Sequence, residues 1–128
     1  MEFKHIGICV NSIDECLEKW KVFDVKIEQP KAKFPGQVSC LVSIGGTCIE
    51  LMEPDGEGTV KKFIEKNGEG LHHLSVRVDD INDAVATFEG AGLGVLHHGD
   101  DPVAFVKPKG NCGVLFEVAT FADADATK

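Results

Sequence analysis

From Gly70 to Val78 apolar and polar positions alternate, as on a half-buried β-strand. Leu74, Val76 and Val78 fall on one face, and His73, Ser75 and Arg77 on the other. The strand runs into a helix start at Asp79-Asp80-Ile81. The same pattern stands near the N-terminus, at His5-Ile6-Gly7-Ile8-Cys9-Val10-Asn11-Ser12-Ile13. With His5 set on His73, Val10 falls on Val78, Ile13 on Ile81, Leu17 on Val85 and Trp20 on Phe88. A repeat of this length predicts two copies of one supersecondary unit. Each copy opens with a histidine at the same place on its first strand.

The first strand covers about residues 3–10, with Ile6, Ile8 and Val10 turned toward a helix layer. Ser12 offers an N-cap and Glu15 follows three positions later, as in a capping box. Ile13, Cys16, Leu17, Trp20 and Phe23 then recur at helical spacing, predicting an amphipathic helix that ends near Asp24. Pro30 and Pro35 bracket a lysine-rich connection. Val38–Ile44 and Thr47–Met52 read as a hairpin turned at Gly45-Gly46, and Glu53-Pro54-Asp55-Gly56 is turn chemistry. Thr59–Lys66 is a short connecting helix stopped by Asn67-Gly68. In the second copy the helix Ile81–Phe88 stops at Gly90 and Gly92. Val103–Val106 and Val114–Ala119 form a second hairpin across Pro108-Lys109-Gly110-Asn111. Residues 1–128 thus read as one domain of two repeats: about 3–55, a connection over 56–69, and 70–121. The small, polar tail over 122–128 is expected to fray.

A chain of 128 residues suffices for one domain with a core, but not for two independent ones. A formal net charge of −8 argues against nucleic acid or an anionic membrane as partner, because phosphate binding needs a basic face. No apolar run approaches membrane-spanning length, and Met1-Glu2-Phe3-Lys4-His5 is no signal peptide. The five cysteines are an odd, scattered set, which points to reduced thiols in a cytoplasmic protein.

The repeat also sets Ile49-Glu50-Leu51 on Phe116-Glu117-Val118. Alternation turns both glutamates away from the apolar rows, like His5 and His73. Two imidazole nitrogens and two carboxylate oxygens on one face can hold a divalent ion with positions left for water or substrate. Without a thiolate in the set, an open catalytic site fits better than a structural zinc site. Taken singly, each residue has a plainer reading, as a hydrogen-bonded strand histidine or a solvent-facing glutamate. Their matched positions favour the metal, because four such groups gathered without a cation would be costly. His72 points the other way from His73. His97-His98-Gly99-Asp100-Asp101 lies in a predicted turn and reads as a solvated loop. Lys107 and Lys109 could hold a small anion as point charges, or simply form a solvated hairpin tip. No nucleophile elbow, Walker loop or dinucleotide fingerprint is present.

Four passages carry a family resemblance: HIGICV at His5, GQVSCLVSIGGTCIELMEP ending at Pro54, GEGLHHLSVRVDDI from Gly68, and AFVKPKGNCGVLFEV from Ala104. In these the chain resembles the vicinal oxygen chelate superfamily, and within it the methylmalonyl-CoA epimerase family. The resemblance implies an α+β fold in which two βαβββ modules form one open, cupped mixed β-sheet with helices on the outer face. Carried over by motif, the family's metal ligands fall on His5, Glu50, His73 and Glu117. Epimerases often have glutamine at the second position, and the His/Glu/His/Glu set is similar to that of bacterial glyoxalase I.

The implied cofactor is one divalent ion, with cobalt, nickel, manganese and zinc all suited to such ligands. The implied chemistry is α-proton removal from a malonyl-type thioester by a carboxylate, with a proton returned to the opposite face. Glu117 is the implied base. Ser39 sits where some epimerases carry a second catalytic glutamate. Ser39, Lys107 and Lys109 are weaker candidates for substrate contacts. Two alternatives stay open. One is a glyoxalase I-like lyase acting on a glutathione hemithioacetal, favoured by Glu50; the other is a non-catalytic module of the same fold that binds a small molecule. Family analogy also implies a homodimer.

Overall fold

Ser12 and Asp80 start equivalent helices, and the strands on either side of those helices repeat with them. The structure, a computed structural model, describes residues 1–120. In chain order the elements are β1 (Glu2–Cys9), α1 (Ile13–Trp20), β2 (Lys26–Phe34), β3 (Gly36–Ile44), β4 (Thr47–Asp55) and α2 (Thr59–Asn67). They continue with β5 (Gly70–Arg77), α3 (Ile81–Gly90), β6 (Val95–Leu96), β7 (Val103–Val106) and β8 (Phe116–Ala119). The fold is α+β, with eight strands in mixed β-sheet and three α-helices among the described residues. The chain divides into two compact units: His5–His72, and His73 onward together with Met1–Lys4.

In the first unit the strand order is β2-β3-β4-β1. β2, β3 and β4 form an antiparallel meander, while β1 lies parallel to β4 with Gly7 opposite Glu50. One face is apolar: Val10, Cys40, Val42, Ile49 and Leu51 pack under Ile13, Leu17 and Trp20 of α1. The Ser12 hydroxyl accepts from the Glu15 N–H at 3.2 Å, and a Glu53 carboxylate oxygen accepts from the Ile13 N–H at 2.7 Å. Two donors orphaned at the helix start are thereby satisfied. On the other face α2 sets Val60, Phe63 and Ile64 on Cys9 and Met52.

The second unit has the order β5-β8-β7-β6, again with one parallel pair, β5 with β8. Val76, Val78, Ala104, Val106 and Val118 pack under Ile81, Val85 and Phe88 of α3, which the Asp80 carboxylate caps. The matched residues of the repeat, Val10 and Val78, Ile13 and Ile81, Leu17 and Val85, Trp20 and Phe88, thus fill corresponding places in two cores.

Some elements differ from the sequence expectation. The segment bracketed by Pro30 and Pro35 is strand β2, not a bare connection. Pro30 is tolerated because β2 is an edge strand and its register slips on both sides of Gln29. The helix is shorter at its C-terminal end: Lys21–Phe23 tightens into a 3-10 turn and Asp24 takes φ 53°, which leaves Phe23 exposed. β4 continues to Asp55 through Glu53 and Pro54. A two-residue strand, β6, pairs with β7 in a stretch where the periodicity marked no element, and it completes the three strands expected after the second helix. β8 begins at Phe116 because Val114 is still held in the turn by its N–H bond to the Asn111 carbonyl. The expected fraying of the tail lies outside the described residues. No helix among the described residues is long and apolar enough to cross a membrane.

Candidate functional site

Cross-strand pairing decides which side chains share a face, since directly paired residues point the same way. Gly7 pairs with Glu50, so His5, Gly7 and Cys9 of β1 share the face of Glu50 and Met52 on β4. Leu41 also pairs with Glu50, which adds Ser39, Leu41 and Ser43 of β3. This is the face opposite α1. On it His5 and Glu50 are 0% and 1% exposed, with His5 Nε2 3.2 Å from Glu50 Oε1.

In the second unit Ser75 pairs with Glu117, so His73, Ser75 and Arg77 share the face of Glu117, away from α3. His73 and Ser75 are buried and Glu117 half-buried. The Ser75 hydroxyl donates to Glu117 Oε1 at 3.0 Å. Arg77 is ion-paired with Glu2.

Burying an imidazole and a carboxylate is costly unless each is hydrogen-bonded, charged against a partner or bound to a cation. The donor set of His5 and Glu50 fits a divalent ion. With ligand bonds of about 2.1 Å, two donors at neighbouring positions of one ion stand about 3 Å apart, close to the observed spacing. His5, His73 and Glu117 each offer a nitrogen or oxygen of the kind that could hold such an ion. The face is also hostile to anions: burial, reinforced by the Glu50 carboxylate, pushes the Cys9 thiol up to about 12.

The weaker candidates are placed differently. Ser39 is buried on the Glu50 face, and its hydroxyl accepts from the Gln37 side-chain amide at 2.6 Å. Lys107 and Lys109 are exposed on and beside the turn between β7 and β8. His72 leaves the face of its neighbour His73 and packs edge-on against Phe63, with ring centroids 5.0 Å apart. His97 bonds the Asp101 carbonyl within its own turn, as a solvated loop would.

Two features escaped the sequence reading. Ser75 bonds Glu117, yet its repeat counterpart is Gly7, so the duplication itself hides it. Glu28 sits in β2, where no strand was expected, and its carboxylate accepts from the Ser43 hydroxyl at 2.6 Å. A cleft of about 320 Å³ lies elsewhere, beside α1, lined in part by Val10, Asn11, Ser12 and Trp20. It contains none of the four candidate ligands, and donor chemistry outweighs its size.

Comparison with known proteins identifies the family. The pattern of the Glyoxalase/Bleomycin resistance protein/Dioxygenase superfamily matches residues 4–112. The chain is 30% identical to a mitochondrial methylmalonyl-CoA epimerase of Dictyostelium discoideum, over 91% of this chain and 76% of that protein. It is also 30% identical to an ethylmalonyl-CoA/methylmalonyl-CoA epimerase of Cereibacter sphaeroides, over 89% of this chain and 93% of that one. Among solved structures it is similar to a Streptomyces coelicolor methylmalonyl-CoA epimerase in complex with 2-nitronate-propionyl-CoA. There the TM-score is 0.80 at 26% identity, covering 96% of each chain. By its duplicated fold and by this match over most of its length, the chain belongs to the glyoxalase/bleomycin resistance/dioxygenase, or vicinal oxygen chelate, superfamily.

Proposed function

We propose that this chain is an epimerase that inverts the α-carbon of a methylmalonyl-CoA-like thioester through an enolate. His5, Glu50, His73 and Glu117 together would hold one divalent ion, with residues 1–128 acting as one domain of two repeats. The observation that carries the reading is the buried His5–Glu50 pair on the face away from α1, in a chain 30% identical to two epimerases. When bound, the ion supplies Lewis-acid polarisation of the substrate's carbonyl oxygens.

The chain's own residues do the rest. Glu117 takes the α-proton, and the Ser75 hydroxyl on Oε1 fixes the carboxylate for that task. α2, with Val60 seated on Cys9 and Met52, keeps water from one end of the Glu50 face. Lys107 and Lys109, exposed near the β7–β8 turn, would meet the phosphates of coenzyme A as point charges. A cytoplasmic homodimer belongs to the same proposal.

The test is exchange of the α-hydrogen in deuterated water. Metal-loaded protein should incorporate deuterium into methylmalonyl-CoA and interconvert its two epimers. Turnover of a glutathione hemithioacetal, or tight retention of the thioester with neither exchange nor inversion, would replace this reading with the lyase or the binding module.

A further inference from the structure

On the Glu50 face of the first unit, Ser39 is a buried hydroxyl with an unused proton. It is 2% exposed, nearly as enclosed as His5 and Glu50. The Gln37 side-chain amide donates to its oxygen at 2.6 Å. Among the described residues no other hydrogen bond reaches the Ser39 side chain. A hydroxyl is a donor as well as an acceptor, so this bond engages a lone pair and leaves the O–H free to donate.

The neighbours in its row offer no good acceptor. Ser39 pairs with Ala32 on β2 and with Met52 on β4, a methyl and a weakly accepting thioether. α2 seats Val60 on Met52, which keeps that side of the row dry. The adjoining row holds Glu50, paired with Leu41. Ser39 and Glu50 are therefore diagonal neighbours across β3 and β4, about 7 Å apart. A donor buried away from water is costly until something bonds it. An acyl group laid against Glu50 would come within its reach.

We propose that Ser39, oriented by Gln37, is a specificity-determining residue that donates a hydrogen bond to the free carboxylate of the substrate's acyl group. The site then selects thioesters that carry a carboxylate on the α-carbon. The assignment rests on the epimerase reading above. Of the groups on such a substrate, the carboxylate needs a donor most, because the face already carries the Glu50 anion. A hydroxyl adds no further negative charge there, and its bond to a charged oxygen is stronger than one to a neutral carbonyl. Gln37 acts through Ser39 as a positioning residue: by holding the oxygen it turns the O–H away from β3's own row and onto the face.

The experiment uses the full chain, metal-loaded. Calorimetry measures the affinity for methylmalonyl-CoA and for propionyl-CoA, which lacks the carboxylate, and α-hydrogen exchange in deuterated water is followed beside it. Ser39→Ala should weaken methylmalonyl-CoA binding by about 10–10²-fold, the usual worth of a hydrogen bond to a charged group, and leave propionyl-CoA binding unchanged. Gln37→Leu, which keeps the hydroxyl and frees it to turn, should lose less with the same selectivity. Both variants should keep the metal content and circular dichroism of the wild type. Unchanged affinity for methylmalonyl-CoA in Ser39→Ala, an equal loss for both thioesters, or a loss that follows the metal would overturn the assignment and leave the epimerase reading standing. Wild-type protein that binds methylmalonyl-CoA yet neither exchanges nor inverts it would overturn that reading, while the selective loss in Ser39→Ala still decides the contact. Wild-type protein that does not bind methylmalonyl-CoA would overturn both.

Discussion

Gly7 and Ser75 occupy the same place in the two repeats and treat their glutamates differently. Each is paired directly with one carboxylate, Gly7 with Glu50 and Ser75 with Glu117. Ser75 donates a hydrogen bond; Gly7 has no side chain to do so, and at Glu50 it is the His5 imidazole that stands 3.2 Å away. The duplicated chain thus makes two unlike carboxylates from one motif, one set against an imidazole and one steadied by a hydroxyl. Cys9, two residues beyond Gly7 on the same face, reports the dryness of that face. Its thiol is raised from about 9 to about 12 by burial first and by the Glu50 charge second. Over that range the unfolded chain gives up the proton and the folded chain keeps it. The unfolded state then binds fewer protons, and stability falls as pH rises from about 9 toward 12. Denaturant unfolding at pH 8 and pH 10.5 should show this loss, and Cys9→Ala should show less of it. An equal slope in the variant would place the titration elsewhere.

At the scale of elements, the two helices and the strands they cover were readable because their apolar periods are long and repeated. Ser12 caps as its spacing predicted, Asp80 caps at the expected helix start, and the four matched pairs from Val10 and Val78 to Trp20 and Phe88 all reach a core. β2 was not readable. It is an edge strand in which Pro30 and two register slips interrupt alternation, so its pattern has neither period. The same slip sets the Glu28 carboxylate on the Ser43 hydroxyl, a contact that alternation alone would not have shown. β6 is two residues long and owes its existence to β7 rather than to its own pattern. The N-terminus of α1 offers a separate check on the packing. Ser12→Ala removes one cap while Glu53 still accepts from Ile13. It should cost about 1 kcal/mol of stability, seen as a lower denaturant midpoint at unchanged slope. Deuterium exchange at the α-carbon should be unaffected, because the cap lies on the side of the sheet away from Glu50.

For the molecule as a whole, duplication is what made the candidate site legible. One histidine or one glutamate on a strand says little, yet the same pair set twice at matched positions selects His5, Glu50, His73 and Glu117 with no structure in view. The structure adds the burial of three of them, the 3.2 Å approach of His5 to Glu50 and the bond from Ser75 to Glu117. A net charge of −8 makes the placing of a few lysines matter for the anionic thioester proposed as substrate, and Lys107 and Lys109 are both exposed. The proposal that both repeats serve one ion is tested most directly by elemental analysis of the full chain purified without added metal, set beside Glu50→Ala and His73→Ala. About one divalent ion per chain is expected in the wild type, with each variant, altered in a different repeat, losing most of it while still folded by circular dichroism. Wild-type protein without metal, or variants that keep a full complement, would contradict a shared ion.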